Sequence, residues 1–295
     1  MTTASLSWLS RAFSTERFPR WISHLEATRP KVFYPGDTWV LNRTACLGSD
    51  VLKMAFPELS SNQRFHLQKA RIDSLPNHLL SQPVLKRNTI PLRFRSFIAR
   101  DDVWSLVDQQ NSRLWGQGSA PRFCLLDSYS ELTDQKFRVR NSSKFFYANF
   151  SDVSKAALAS GLLKSEGLLD LNELTLHFET LISTIARRWG SIPIILLTYP
   201  RDLETRELFL GRSLLISEIF HQLASRYDNV HVLRGPQSKI QADPTEIAED
   251  RVFPYHYNSK VKKELAANLG KICASNGILH PLERNRSLGK TSILS

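Results

Sequence analysis

Short, mainly apolar runs and longer stretches with helical spacing alternate along this chain. The apolar runs fall at 43–48, 122–127, 192–198 and 230–234. Runs of this length and composition are typical of strands that are buried on both faces, as in a parallel sheet. The sequence therefore predicts four parallel strands that are separated by helical segments.

Apolar residues spaced three or four apart predict the helices that cover this sheet. One helix is predicted through Leu171, Leu174, Phe178, Leu181, Ile182 and Ile185, and the next through Leu208, Leu215, Ile219 and Leu223. A last helix is predicted at 258–275, because Asn258 and Ser259 are good N-cap residues ahead of an amphipathic pattern. The fold class that follows is α/β, with a doubly wound, mostly parallel sheet and helices on both faces.

Three parts of the chain differ in pattern. Residues 1–40 form a predicted N-terminal arm, in which Pro19 divides two short amphipathic helices. This arm either packs on its own domain or lies on a membrane surface through its tryptophan and arginine side chains. Residues 41–279 hold the α/β domain, with a further strand expected between 60 and 120, and residues 280–295 form a loose tail without periodicity.

Composition narrows the class of protein. With 42% hydrophobic residues among 295, the chain can form a sizeable core without disulfides. The three cysteines are far apart and match no zinc-binding spacing, which indicates a reduced compartment; Cys46 and Cys124 lie in apolar runs and are predicted core residues. The chain has no apolar stretch of roughly 18 residues and its N-terminus lacks the pattern of a secretion signal. These features predict a cytoplasmic protein, either free or at the membrane surface.

A formal net charge of +11 points to an anionic partner. That partner is open between nucleic acid, a membrane surface, a phosphorylated cofactor and an acidic glycan. The basic residues are scattered and form no recognisable nucleic-acid-binding module, so a solvated basic surface is an equal alternative. The sequence also lacks a metal-ligand spacing and a glycine-rich phosphate loop, so no metal and no cofactor is predicted.

Chemistry in a doubly wound sheet is expected where loops leave the carboxyl ends of the strands. Candidate residues follow each of the predicted strands. They are Gly48, Ser49 and Asp50 after the first, Asp127 and Ser128 after the second, Tyr199 and Arg201 after the third, and Asp250 and His256 after the fourth.

Ser49 and His256 form the candidate catalytic pair. A serine hydroxyl needs a neighbouring base to become a nucleophile, and His256 supplies one. Gly48 permits a sharp turn that leaves the backbone N–H groups of the following helix open to an oxyanion. Asp250 is near enough in sequence to orient the imidazole. The alternatives are a capping serine at a strand-to-helix turn, a histidine in an aromatic cluster and a solvated acidic face.

These pieces, in this order, resemble the SGNH (GDSL-like) hydrolase superfamily, and in particular its divergent bacterial branches with a Gly-Ser-Cys first block (GSCFA-like). Residues 47–50 (Leu-Gly-Ser-Asp) match that block with aspartate in the cysteine position, and residues 254–257 (Pro-Tyr-His-Tyr) resemble the terminal block. The resemblance implies a flavodoxin-like three-layer fold with Ser49 as nucleophile, His256 as base and Asp250 as third member. It also implies a metal-independent serine ester hydrolase or O-acyltransferase, acting on an acyl ester of a bacterial polysaccharide or glycan precursor.

The sequence departs from the family pattern at three places. The family has its acid three residues before the histidine, where this chain has Phe253, so Asp250 lies further upstream. The third block lacks the Asn that serves the oxyanion hole and has Asp127 at that strand end. The second-block glycine is not identifiable, although Arg71 and Ser74 fall in that region. These departures support an alternative function, a non-catalytic domain of the same fold that binds an anionic glycan, nucleic acid or a protein partner through its basic surface.

Overall fold

The computed structural model describes residues 39–60, 67–75, 97–98, 120–235 and 255–278. The predicted arm, the predicted tail and Asp250 lie outside these residues, as does most of the region in which a further strand is expected. In the part that the structure describes, the chain is α/β, as predicted.

The described elements follow one another in an alternating order. The strands are β1 (Leu41–Arg43), β2 (Cys124–Asp127), β3 (Asp134–Val139), β4 (Phe145–Asn149), β5 (Leu163–Ser165), β6 (Ile194–Leu197) and β7 (Val230–Leu233). The helices are α1 (Cys46–Ala55), α2 (Pro57–Ser60), α3 (Tyr129–Thr133), α4 (Lys155–Ala159), α5 (Leu171–Trp189), α6 (Glu207–Arg226) and α7 (Ser259–Ser275). Two 3-10 turns, Ile72–Ser74 and Phe150–Asp152, complete the set.

A parallel sheet in the order β1-β2-β6-β7 forms the centre of the protein. Cys124 of β2 lies opposite Ile194 of β6, and Ile194 lies opposite Val230 of β7. Every residue of β2 and of β6 is buried, so both faces of the sheet are covered at its centre. Helix α1 packs against α7, and α5 packs against α6. The strands predicted at 122–127, 192–198 and 230–234 are confirmed.

The first predicted strand, 43–48, is wrong. β1 ends at Arg43, and the apolar run continues as α1. Leu47 and Val51, which are one helical turn apart, are buried in the core. A short apolar run has the same appearance in a strand and in a buried helix, so this sequence pattern could not separate the two. Cys46 is consequently the exposed first residue of a helix and not a core residue, whereas Cys124 is buried as predicted.

The helix α6 is confirmed, but its predicted buried face is partly wrong. Leu208 and Leu215 remain 62% and 49% exposed. The face toward the core is formed by Ser213, Ile216, Phe220 and Leu223. Apolar residues occur around most of this helix, so their spacing alone fits two overlapping faces.

The helices α5 and α7 match the sequence pattern closely. Asp170 caps α5 by accepting a hydrogen bond from Asn172 N at 3.0 Å. Asn258 caps α7 as predicted, because its side chain accepts a hydrogen bond from Val261 N at 3.1 Å. Both caps satisfy backbone donors that have no partner inside the helix. None of the described helices is long and apolar enough to cross a membrane.

A second sheet, antiparallel and in the order β4-β3-β5, lies outside the predicted pattern. β3 is mostly polar and β5 has only three residues, so neither has the apolar run that identifies the parallel strands; β4 begins with such a run, at 145–148, which the predicted pattern did not include. Its inner face has a small core of its own, which includes Phe137, Phe146 and Leu163. An isolated bridge between Ile98 and Val153 lies beside this core.

Candidate active site

Asp127 lies at the carboxyl end of β2 and joins segments that carry predicted site residues. Its Oδ2 accepts hydrogen bonds from the backbone N–H of Ala45 at 2.6 Å and from the Tyr199 hydroxyl at 3.0 Å. Its Oδ1 accepts a hydrogen bond from Tyr129 N at 3.1 Å. The loops after β1, β2 and β6 therefore meet at one buried carboxylate, at the edge of the sheet where ligands of this fold class bind.

The terminal segment with His256 joins the same place through aromatic contacts. The ring of Tyr255 meets the rings of Tyr129 and Tyr199 edge to face, with centroids 5.3 and 5.5 Å apart. On the other side of the half-buried His256, the Tyr257 hydroxyl donates to Pro200 O at 2.8 Å. The histidine is therefore held between two anchored tyrosines beside the loop after β6.

Glu204 fixes the outer end of this aromatic group. It accepts hydrogen bonds from the Tyr255 hydroxyl at 2.5 Å and from Arg206 Nη2 at 2.7 Å. Burial opposes ionisation of this carboxyl, but the hydrogen bonds from Arg206 and Tyr255 outweigh it and lower the pKa of Glu204 to about 2. Glu204 is therefore a carboxylate at neutral pH that orients Tyr255.

Asp127 has the opposite shift. Burial raises the pKa of Asp127 to about 6, although Arg43 and the N–H groups of Ala45 and Tyr129 favour its ionised form. Asp127 is 1% exposed. A carboxyl that changes its charge near neutral pH at the carboxyl end of a strand is a typical feature of functional sites.

This shift predicts a pH-dependent effect of Asp127→Asn. Below pH ~4, Asp127 is protonated in the folded and the unfolded chain; between pH ~4 and ~6 the folded chain retains the proton that the unfolded chain loses. The free energy of unfolding of the wild type should therefore fall across this window by an amount on the order of 3 kcal/mol. The variant has no group to ionise there, so its stability relative to wild type should rise by that amount.

Urea unfolding at several pH values between about 4 and 7 measures this difference. The carbonyl oxygen of Asn can replace Oδ2 as the acceptor for Ala45 N and the Tyr199 hydroxyl, but its amide group cannot accept from Tyr129 N. Loss of that one hydrogen bond should add a destabilisation that does not vary with pH. Asp228→Asn, at an exposed turn, is the matched control and should follow the wild type. Parallel stability curves for Asp127→Asn and wild type would contradict the prediction.

The first-block residues lie on α1, not in a loop before it. Ser49 is half-buried in the second turn and donates its N–H to Ala45 O at 3.1 Å. The backbone N–H groups of Cys46, Leu47 and Gly48 precede it in the first turn, where a helix makes no internal bonds to its N–H groups. Within α1, the Ser49 N–H is thus bonded inside the helix, whereas the three N–H groups of the first turn are not.

Gly48 is required for a reason other than the predicted sharp turn. A Cβ atom at this position would lie 2.5 Å from Thr44 Cβ, closer than nonbonded carbon atoms approach. The neighbouring Asp50 binds Lys262 of α7, with Oδ2 and Nζ 3.0 Å apart. The segment that carries Ser49 is therefore fixed to the helix that follows His256.

The other predicted site residues are placed less centrally. Arg71 is buried and pairs with Asp73, with Nη2 and Oδ2 2.7 Å apart, and the buried Ser74 hydroxyl donates to Arg71 O at 2.7 Å. Ser128 is buried at the N-terminus of α3, and Arg201 is exposed after β6. Asp127, Tyr199 and the His256 segment are thus brought together, whereas Arg71 and Ser74 belong to a separate polar cluster.

Cys46 is a residue of the site that the sequence pattern missed. It opens α1 next to Ala45, and its Sγ accepts a hydrogen bond from Gln68 Nε2 at 3.4 Å. The residue as a whole is exposed, but its sulfur lies against the protein, and this desolvation, together with the nearby Asp50 carboxylate, raises the pKa of the thiol. A raised pKa disfavours the thiolate, the form in which cysteine acts as a nucleophile.

A buried ion pair beneath the site was also missed. Arg43, 1% exposed, binds both carboxylate oxygens of the fully buried Glu131 and donates through Nε to Ala70 O at 2.6 Å. Glu131 also accepts a hydrogen bond from Ile72 N at 2.8 Å. The signal in the sequence was an arginine at the end of an apolar run, which is rare unless a partner is buried with it.

A second buried cation stands beside Tyr129. Lys69 Nζ is 3.2 Å from Asp134 Oδ1 and 3.2 Å from Asp152 Oδ2, and it lies 5.7 Å from the centre of the Tyr129 ring. Burial alone would lower the pKa of Lys69, but Asp134 and Asp152 outweigh it and raise this pKa. The segment 67–75 therefore joins the parallel sheet to the antiparallel one through charged contacts.

Comparisons with protein-family models, with curated proteins and with solved structures found no match for this chain. Its function is therefore argued from the geometry of the carboxyl edge of the sheet.

Proposed function

We propose that this chain is an SGNH-like serine ester hydrolase or O-acyltransferase, with Ser49 as nucleophile and His256 as base. The observation that carries the proposal is the meeting of four segments at the carboxyl edge of the sheet. Asp127 binds Ala45 and Tyr199, and Tyr255 packs on Tyr199. The segments with the candidate nucleophile and the candidate base are thereby held on the same edge.

The layering of the helices supports the flavodoxin-like arrangement within this proposal. Connections between parallel strands are right-handed, so helices that follow strands added in one direction lie on one face. Helices α5 and α6 follow this rule along β2, β6 and β7 and pack together. Helix α1 packs instead with α7. This is expected in a flavodoxin-like order, where the connection after the first strand runs to the opposite side of that strand from the later strands. The second strand of that order would fall outside the described residues.

The reaction follows from these roles. The Ser49 hydroxyl attacks the carbonyl carbon of an acyl ester while His256 takes its proton. The bond to the leaving alcohol then breaks, and the alcohol departs with the proton from His256. Water, or the hydroxyl of an acceptor, then attacks the acyl-serine while His256 takes its proton. His256 passes this proton to the Ser49 oxygen as the bond to the acyl group breaks, which releases the acid or the new ester and restores Ser49.

Charge on the oxyanion would be stabilised by backbone donors. Cys46, Leu47 and Gly48 contribute the N–H groups of the first turn of α1, at the positive end of that helix. The position where the resembling family has Asn carries Asp127, which already accepts three hydrogen bonds. Asp127 thus acts as a positioning residue for the α1 turn in this mechanism, and a glycan hydroxyl or ester is the substrate that the resemblance supports.

Labelling with a fluorophosphonate probe tests the proposal. Because an activated serine reacts quickly with this reagent, the wild type should be labelled, and Ser49→Ala and His256→Ala should both lose labelling. In-gel fluorescence after a fixed time measures the difference, and far-UV circular dichroism checks that each variant is folded.

Two matched variants separate this result from damage to the fold. Lys53→Ala, at an exposed position of the same helix, should keep the labelling, as should Ser225→Ala at an exposed site on α6. An unlabelled, folded wild type would contradict the proposal and favour the non-catalytic alternative. Labelling that survives Ser49→Ala would contradict the assignment of the nucleophile.

A further inference from the structure

The antiparallel sheet presents one face to its own core and the opposite face outward. The register pairs Lys136 with Tyr147 and Arg138 with Phe145 on that face. Tyr147 is buried there, because Arg71 lies over its ring, whereas Lys136, Arg138 and Phe145 are partly exposed. Arg138 also lies opposite Lys164 of β5 on that face. We define the outer face by the four residues of this side that reach solvent, Lys136, Arg138, Phe145 and Lys164.

Cations dominate the outer face. Lys164 is exposed, and the side chain of Arg138 is 39% exposed. Arg140, also exposed, extends the row beyond Arg138, since its N–H donates to Leu162 O. Glu166 is the one carboxylate among the described residues that pairs with Lys136 and Arg138. This side of the sheet therefore carries four cations, Lys136, Arg138, Arg140 and Lys164, against Glu166 and against Asp73, which accepts a hydrogen bond from the buried Tyr147 and is paired with Arg71.

The central cations are already ordered. Lys136 Nζ is 3.1 Å from Glu166 Oε2, and Arg138 Nη2 donates to the same oxygen at 3.3 Å. Both cations also lie over the half-buried ring of Phe145, with Lys136 Nζ 4.7 Å and the Arg138 guanidinium carbon 6.0 Å from its centre. Side chains that are held in place before binding lose less conformational entropy when a ligand arrives.

We propose that the outer face binds single-stranded nucleic acid. Alternate residues of a strand are about 6.8 Å apart, so β3 presents a straight row of cations to a phosphate backbone. Sheet surfaces that combine such cations with an aromatic ring bind single strands through phosphate contacts and base stacking. Phe145 is the ring that a base would reach, with Lys136 and Arg138 as the phosphate contacts. This role is independent of Ser49 and His256.

Glu166 gives the proposal a distinctive consequence. Hydrogen bonds from Arg138 and Lys136 lower the pKa of Glu166 to about 2, so a negative charge stands on this face at neutral pH. A phosphate backbone must compete with that charge for Lys136 and Arg138. Removing the charge should therefore tighten binding, an effect that a purely structural ion pair would not have.

Fluorescence anisotropy with labelled oligothymidylate and oligouridylate of about 20 nucleotides tests the proposal on the full chain. The wild type should bind, more weakly at about 200 than at about 50 mM salt. Lys136→Gln combined with Arg138→Gln should weaken binding by about tenfold or more and reduce the salt slope by about 1.4. Phe145→Leu should weaken binding by about fivefold with an unchanged slope, and Glu166→Gln should tighten it several-fold.

Lys260→Gln combined with Lys263→Gln is the matched control, because it removes the same charge from an exposed surface of α7. It should leave the affinity within about twofold of wild type. Absence of binding by the wild type, or equal weakening by the control, would overturn the proposal. Tighter binding of an acidic polysaccharide than of either oligonucleotide, with no effect of Phe145→Leu, would assign the face to that class of polymer instead. Thermal melting shows that each variant is folded.

Discussion

Replacing Arg43 by Met should lower the free energy of unfolding by about 3–5 kcal/mol. The guanidinium is buried and binds both carboxylate oxygens of Glu131, a bidentate geometry that is among the strongest charged contacts in proteins. Methionine fills much of the volume but leaves Glu131 charged without its partner, and it leaves Ala70 O without the bond from Arg43 Nε. Urea unfolding of the wild type and the variant measures the loss.

Two further variants identify the cause of that loss. Arg226→Met removes the arginine of an exposed ion pair with Glu179 and should cost about 1 kcal/mol or less. The double variant Arg43→Met, Glu131→Met should recover much of the loss, because no charge remains buried. Recovery should be incomplete, since Ile72 N then lacks its acceptor. If Arg43→Met costs no more than Arg226→Met, the buried pair does not stabilise the fold as described.

Replacing Lys69 by Met should have a loss of similar size, about 3–5 kcal/mol. Lys69 neutralises Asp134, which is fully buried, and Asp152, and the three charges join the two sheets. In the wild type this stabilisation is present at neutral pH, because the raised pKa of Lys69 keeps it charged in the folded chain. It should be lost only in alkaline solution, above pH ~10, where the unfolded chain releases its proton first.

Urea unfolding at neutral and at alkaline pH measures both parts of this expectation. Lys164→Met, on the outer face and exposed, is the matched control and should change stability by about 0.5 kcal/mol or less. Adding Asp152→Asn to Lys69→Met should restore part of the stability by removing one uncompensated charge. Equal stability of Lys69→Met and wild type at neutral pH would contradict the prediction.

The sequence pattern predicted the parallel sheet well because its strands are buried on both faces. β2 and β6 are apolar along almost their whole length, β7 contains one polar residue, His231, and α5 and α7 combine regular spacing with capping residues. The run at 43–48 failed, since an apolar stretch of this length fits the first turns of a buried helix as well as a strand. The antiparallel sheet was not predicted, because β3 is mostly polar and β5 is only three residues long, so the apolar run of β4 has no recognisable partner strand in the sequence.

The candidate site could be predicted only in part from the sequence. Asp127 and Tyr199 were found because they end buried strands, and strand ends meet at one edge. The contacts of Cys46, Lys69 and Arg43 could not be found, because each depends on partners that lie 22 to 88 residues away in the chain. Pairing of that kind follows from tertiary packing and leaves no local pattern.

The separation of the two cores limits how this protein can be divided. Within the described residues, the apolar cluster of the antiparallel sheet is separate from that of the parallel sheet and contains nine buried side chains. A core of that size is too small to fold by itself. The antiparallel sheet is stabilised by contacts from Lys69 to Asp134 and from Arg71 to Gly167 O. The segment that carries Lys69 and Arg71 precedes this sheet by about sixty residues in the chain. An excised antiparallel sheet should therefore behave as an unfolded peptide, and grafting this surface onto another scaffold would require transferring residues 67–75 with it.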